Sequence, residues 1–125
     1  MDWALVVVVA IFALAYIFLR RSGQISAQDA QNYLRNGALV VDVRTPAEFS
    51  ARHLPGAINV PLDQIEATFS RRVTDKNEPI LLHCQAGTRS AVAKRKLISL
   101  GYTNARNLGS YSRAARLIDL AKMNK

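Results

Sequence analysis

Pro79-Ile80-Leu81-Leu82-His83-Cys84-Gln85-Ala86-Gly87-Thr88-Arg89-Ser90 reads as strand, loop and helix start in one stretch. The short apolar run Ile80-Leu81-Leu82-His83, entered from a proline, predicts a buried strand with Cys84 at its carboxyl end. Gln85 to Arg89, with Gly87 inside, predict a loop. From Ser90 onward, Ala93, Leu97 and Leu100 mark one face of a helix closed by Gly101.

Working outward, the alternation repeats. Ser26 caps a helix whose apolar side is Ala30, Tyr33 and Leu34 and which ends at Asn36-Gly37. Leu39-Val40-Val41-Asp42-Val43 is a strand, and Thr45-Pro46-Ala47-Glu48 is a capping box with proline at the first helical position. Ala57-Ile58-Asn59-Val60 is a strand stopped by Pro61, followed by helical spacing of Leu62, Ile65 and Phe69 through about Arg71. Asn104 to Leu108 is a further strand, Gly109 a turn, and Tyr111 to Met123 a last helix. Such alternation predicts an α/β fold, a small parallel sheet of about four to five strands with helices on both faces.

The chain has 125 residues, which suits one domain and excludes a two-domain enzyme. Its apolar residues are unevenly placed: Trp3 to Leu19 are seventeen in a row without a charge. At 1.5 Å per residue they reach about 25 Å, close to the ~30 Å of bilayer hydrocarbon. A cleavable signal peptide would carry Lys or Arg before the run, where Asp2 stands, and a core helix would show a polar face, which this run lacks. The expectation is an uncleaved transmembrane helix, Trp3 and Tyr16 at its two interfaces, dividing the chain into an anchor (residues 1–21) and a globular domain (residues 22–125). Arg20 and Arg21 follow the run, so the positive-inside rule places that domain in the cytoplasm. The resulting picture is a single-pass protein of the cell inner membrane, of the bacterial type.

Seventeen Lys and Arg against nine Asp and Glu give a net charge of +8. The aromatics do not interleave with the basic residues into a stacking platform, so no nucleic-acid partner is expected and membrane lipid is the expected counter-charge. The span has no GxxxG, only Ala10 and Ala13, so no strong helix dimer is expected and the oligomeric state is left open.

One cysteine, Cys84, excludes an intramolecular disulfide and a CxxC pair. In open parallel sheets ligands gather beyond the carboxyl ends of strands, and Cys84 is there. The backbone N–H groups of the loop that follows, the dipole of the helix after it and the guanidinium of Arg89 all favour thiolate over thiol. That pattern describes a nucleophile in an anion cradle, as against an inert cysteine buried at a strand end.

Leu81-Leu82-His83-Cys84-Gln85-Ala86-Gly87-Thr88-Arg89-Ser90 resembles the active-site loop of the rhodanese-like sulfurtransferase family. Asp42-Val43-Arg44-Thr45-Pro46-Ala47-Glu48-Phe49, with His53-Leu54-Pro55-Gly56-Ala57-Ile58-Asn59-Val60-Pro61, is similar to that family's first signature, and Leu100-Gly101-Tyr102 and Asn107-Leu108-Gly109 to its closing elements. The likeness runs from about Ile25 to Ala114. Two places depart from it: Arg52 stands where the family usually has Gly before the His, and Gly109-Ser110-Tyr111 stands where a Gly-Gly and a Trp are usual.

The resemblance implies a sulfur-transfer enzyme. Cys84 would be the catalytic residue, taking the outer sulfur of thiosulfate or a persulfide donor and passing it to a protein thiol or, in an assay, cyanide. Gln85, Ala86, Gly87, Thr88, Arg89 and Ser90 would bind the anion, with Arg89 drawing in the donor. Asp42, Arg44 and Glu48 would be structural support, Arg44 pairing with a carboxylate to brace the strand end. His53 and His83 would be hydrogen-bonded structural residues, and Lys94-Arg95-Lys96 a solvated face. No metal and no organic cofactor is implied. Two rivals are a catalytically idle module that holds a membrane partner and a phosphatase or arsenate-reductase-like enzyme. The related phosphatase loop places five residues between Cys and Arg, whereas four separate Cys84 from Arg89, a ring better sized for one sulfur atom than for a phosphate.

Overall fold

A computed structural model of the chain describes residues 2–124, the side chains of residues 20–22 excepted. The elements in chain order are α1 (Trp3–Ser22), α2 (Ala27–Arg35), β1 (Leu39–Asp42), α3 (Pro46–Ala51), β2 (Ile58–Asn59), a 3-10 turn (Leu62–Gln64), α4 (Ile65–Arg72), β3 (Ile80–His83), α5 (Thr88–Ser99), β4 (Ala105–Gly109) and α6 (Tyr111–Met123). The four described strands form one parallel sheet in the order β2-β1-β3-β4.

The strands read as continuous apolar runs because both faces of the sheet are covered. Val41, Ile80 and Leu82 turn to one face, packing with Phe69, Leu97 and Tyr102. Val40, Leu81 and Leu108 turn to the other, packing with Ile25, Ala114 and Leu117. The register sets Val41 beside Leu82 and Asp42 beside His83, so β1 and β3 end level with one another. That shared carboxyl edge, with Gly109 alongside, carries Cys84.

Two local readings differ from the sequence expectation. Helix α5 starts at Thr88, not Ser90, because Gly87 takes the N-cap position at φ +97° with no side-chain cap. The first amides of α5 are therefore left for another acceptor. Gly109 is the last residue of β4, not a turn: the pairing slips by one between Leu82 and His83, so His83 lies opposite Gly109.

The expected transmembrane helix is corrected. Among the described residues, no helix is long and apolar enough to cross a membrane. The seventeen apolar residues of α1 cover about 25 Å, at the short end of what the ~30 Å of bilayer hydrocarbon needs. Helix α1 is nonetheless an exposed apolar rod, with Trp3 80% and Phe12 72% accessible. Arg20 and Arg21, on which the orientation argument rests, lie outside the described side chains. In place of a linker at Ser22-Gly23-Gln24, α1 continues to Ser22 and Gln24 already bridges to Asn107.

Candidate active site

Cys84 is fully buried, while Gln85, Ala86 and Thr88 of the following loop are exposed. Hydrogen-bond donors converge on its sulfur. The N–H of Gly87 lies 2.9 Å from Sγ, the N–H of Ser90 3.4 Å, and the Ser90 hydroxyl 3.5 Å. Two of these are the free amides expected at the start of α5. Gly87 holds a positive φ at this point, a conformation that a side chain would strain.

The surroundings pull the thiol in opposite directions. Burial, the largest influence, disfavours the thiolate; the Ser90 hydroxyl and the amides of Ser90, Gly87 and Ala86 favour it and prevail, so the Cys84 pKa lies below the ordinary thiol value. The Ser90 hydroxyl has one proton and also reaches the Gly87 carbonyl at 3.1 Å. With Cys84 ionised, the bond between the two groups runs from the Ser90 hydroxyl to the sulfur, because a thiolate has no proton to donate.

Two arginines close on two carboxylates around this loop. Arg44 binds Asp42 through Nε and Nη2 at 2.8–3.0 Å, and its Nη2 also donates to the Arg52 carbonyl at 2.6 Å. Both partners are buried. Arg89 binds Glu48 at 2.7 and 3.1 Å, with both side chains about one-third exposed (34% and 33%). The Arg89 guanidinium, then the Thr45 amide, hold the Glu48 carboxyl down at about 2. Cys84 and Asp42 are among the negative groups that, after Glu48, raise Arg89 above its usual value.

The histidines have no role at the sulfur in this geometry. His53 stacks on Phe49 with ring centres 4.0 Å apart and meets the Phe49 carbonyl at 2.9 Å. Burial, only partly offset by Asp42, holds His83 below its ordinary pKa, and Nε2 stays 3.9 Å from Asp42 without a hydrogen bond. Lys96 of the expected solvated face pairs with Glu66 at 3.1 Å.

Residues to which the sequence analysis gave no role at the site support the loop from behind. Asn107 donates to the Gly87 carbonyl at 3.4 Å and accepts from the Gly109 amide at 2.9 Å. The Gln24 amide packs so closely that a Cβ on Gly109, at φ +103°, would sit 2.9 Å from it. Arg113 donates to the carbonyls of Leu108 and Ile25 at 2.7 and 2.6 Å, fastening the segment before α2 to β4. Gln24 carries no local signal, and its role arises only when the chain folds back on β4.

Comparison with known proteins agrees with this geometry. The family described as Rhodanese-like domain matches residues 26–115. Thiosulfate sulfurtransferase PspE of Escherichia coli (strain K12) is 39% identical over 69 residues, covering 55% of this chain and 66% of that protein. The chloroplastic thiosulfate sulfurtransferase 16 of Arabidopsis thaliana is 33% identical over 113 residues, covering 78% of this chain and 90% of that protein. The solved human single-domain sulfurtransferase TSTD1 superposes with a TM-score of 0.63 at 30% identity, covering 75% of this chain and 96% of that one. With the fold, the cysteine loop and these relatives in agreement, the chain belongs to the rhodanese-like family and is an enzyme of its sulfurtransferase type.

Proposed function

We propose that this enzyme moves a sulfane sulfur from thiosulfate or a persulfide donor to a thiol, or to cyanide in an assay, through a persulfide on Cys84. The observation that carries the reading is the convergence of the Gly87 amide, the Ser90 amide and the Ser90 hydroxyl on one buried sulfur. In the first step the Cys84 thiolate attacks the outer sulfur of thiosulfate. The bond between the two donor sulfurs breaks, and sulfite leaves with its electron pair. In the second, the acceptor attacks the outer sulfur of the persulfide and Cys84 departs as thiolate. The loop amides, fixed before reaction, stabilise the negative charge carried by the terminal sulfur. Arg89 attracts the anionic donor while Glu48 holds it in place, and Asp42 and Arg44 support the strand end.

Thiosulfate and cyanide supplied to the protein are expected to yield thiocyanate and sulfite, and Cys84→Ser is expected to yield neither. Release of phosphate from an aryl phosphate, without thiocyanate, would replace this reading with the phosphatase one.

The same proposal places the enzyme at a membrane. Helix α1 presents an uninterrupted apolar surface, and its end, at Ile17 and Leu19, borders clefts lined by Arg113, Arg116, Lys94 and Arg95. Apolar insertion beside basic side chains suits an anionic lipid surface. We place the domain on the cytoplasmic side of the inner membrane, where thiol acceptors are plentiful. Recovery in the membrane fraction, with the domain protected from protease in spheroplasts and cleaved after lysis, is the expected result. Recovery in the soluble fraction, or cleavage in intact spheroplasts, would contradict it.

A further inference from the structure

Tyr111, the first residue of α6, is buried, and its N–H donates to the carbonyl of Gln85 at 3.2 Å. That bond sets the start of α6 beside the residue that follows Cys84. Two guanidiniums lie over the Tyr111 ring, Arg44 with Cζ 4.7 Å and Arg52 with Cζ 4.9 Å from the centroid. Their situations differ. The charge of Arg44 is matched by Asp42, just as that of Arg89 is matched by Glu48. Arg52 is exposed and, among the described residues, has no carboxylate within ion-pair distance. The loop therefore has a flank on which one flat guanidinium is held by an aromatic face with its N–H edges free.

We propose that Arg52, seated on Tyr111 beside Gln85, is a binding subsite for the carboxylate of an anionic thiol acceptor. The proposal rests on the sulfur-transfer reading above. A guanidinium fork matches a planar carboxylate with two parallel hydrogen bonds. Stacking on Tyr111 removes part of the freedom that an exposed arginine otherwise loses on binding. A small donor anion is served by the loop amides at the sulfur. A group off the Gln85 flank is suited to the far end of a longer molecule. There it holds the acceptor while its thiolate attacks the outer sulfur, and the electron pair of the broken bond returns to Cys84.

The test compares glutathione with its diethyl ester as acceptors, after the gain of one sulfur on Cys84 from thiosulfate has been established by mass. Arg52→Ala is expected to lower the ratio of kcat/KM for glutathione to that for the ester about fivefold, the scale of a partly exposed ion pair. Arg52→Glu should lower it further, and Arg52→Lys should restore part of it. Added salt should depress the wild-type ratio more steeply than that of Arg52→Ala. A loaded Cys84 with an unchanged ratio, or an equal loss for both acceptors, overturns the subsite alone. Failure of wild-type Cys84 to load overturns the sulfur-transfer reading and the subsite with it.

Discussion

The two arginine–carboxylate clamps beside the loop use the same chemistry in different surroundings. Asp42–Arg44 is buried at the ends of the central strands, and Asp42 also accepts the Arg44 backbone N–H at 2.9 Å. Glu48–Arg89 joins α3 to the first turn of α5 and is about one-third exposed, 34% and 33% for the two side chains. Water competes for the second pair and not for the first. Burial therefore makes the inner clamp a condition of the fold, whereas the outer one is a means of setting the charge near Cys84.

Arg44→Ala gives the strongest test of that difference. It leaves Asp42 buried without its partner, which typically costs about 3–5 kcal/mol, a large share of a small domain's stability. Urea unfolding should show that loss, and Arg44→Lys should recover little of it because an ammonium cannot reproduce the planar fork. A cost below about 1 kcal/mol would erase the distinction between the clamps.

Arg89→Ala should change stability by less than about 1 kcal/mol. Its effect belongs to the sulfur: the pH profile of Cys84 alkylation by iodoacetamide should move upward, and loading by thiosulfate should slow about tenfold, the scale of one lost charge-assisted contact. If instead Arg89→Ala unfolds the protein and Arg44→Ala only slows it, the roles are exchanged. Glu48→Gln, which keeps a residue able to complete the capping box, should act in the opposite sense. It unmasks the Arg89 charge, and the alkylation profile should move downward by a smaller amount.

The smallest effect is the acid response. Glu48 is lowered to about 2 by Arg89 first, so its contribution to stability is complete above its unfolded value, about 4.3, and fades as pH falls toward about 2. Urea midpoints of wild type and Glu48→Gln, compared across that window, should converge as the pH drops. Parallel curves would show that the outer clamp contributes nothing to folding.

How legible all this was in the sequence depends on range. The strand, loop and helix around Cys84 were readable because each signal is local, as was the capping box, whose two halves, Thr45 and Glu48, sit within one helical turn. Helix α5 begins earlier than expected because Gly87 is a cap without a side chain, and a positive φ leaves no mark on the hydrophobic spacing. The outer clamp was hidden for another reason. Glu48 and Arg89 are 41 residues apart, and only the parallel register brings α3 to α5. The inner clamp spans two residues at one strand end, and an arginine bracing a carboxylate there was implied by the family resemblance and not by spacing alone. Gln24 is the extreme case, a polar residue in a presumed linker that packs against Gly87 and Gly109. The apolar run of α1 was plain, but a count of apolar residues near the limiting length does not decide whether a helix crosses a bilayer.

The central claim is that the loop donors around Cys84 exist to hold a sulfur bonded to it. Its most direct test is the mass of the Cys84 peptide after incubation with thiosulfate and removal of excess donor, at neutral pH and again with Ser90→Ala. The wild-type peptide should gain the mass of one sulfur atom, lose it on addition of a thiol, and show the gain in lower yield when the Ser90 hydroxyl is absent. An unmodified Cys84 peptide after exposure to thiosulfate, from protein whose cysteine still reacts with iodoacetamide, would contradict the account.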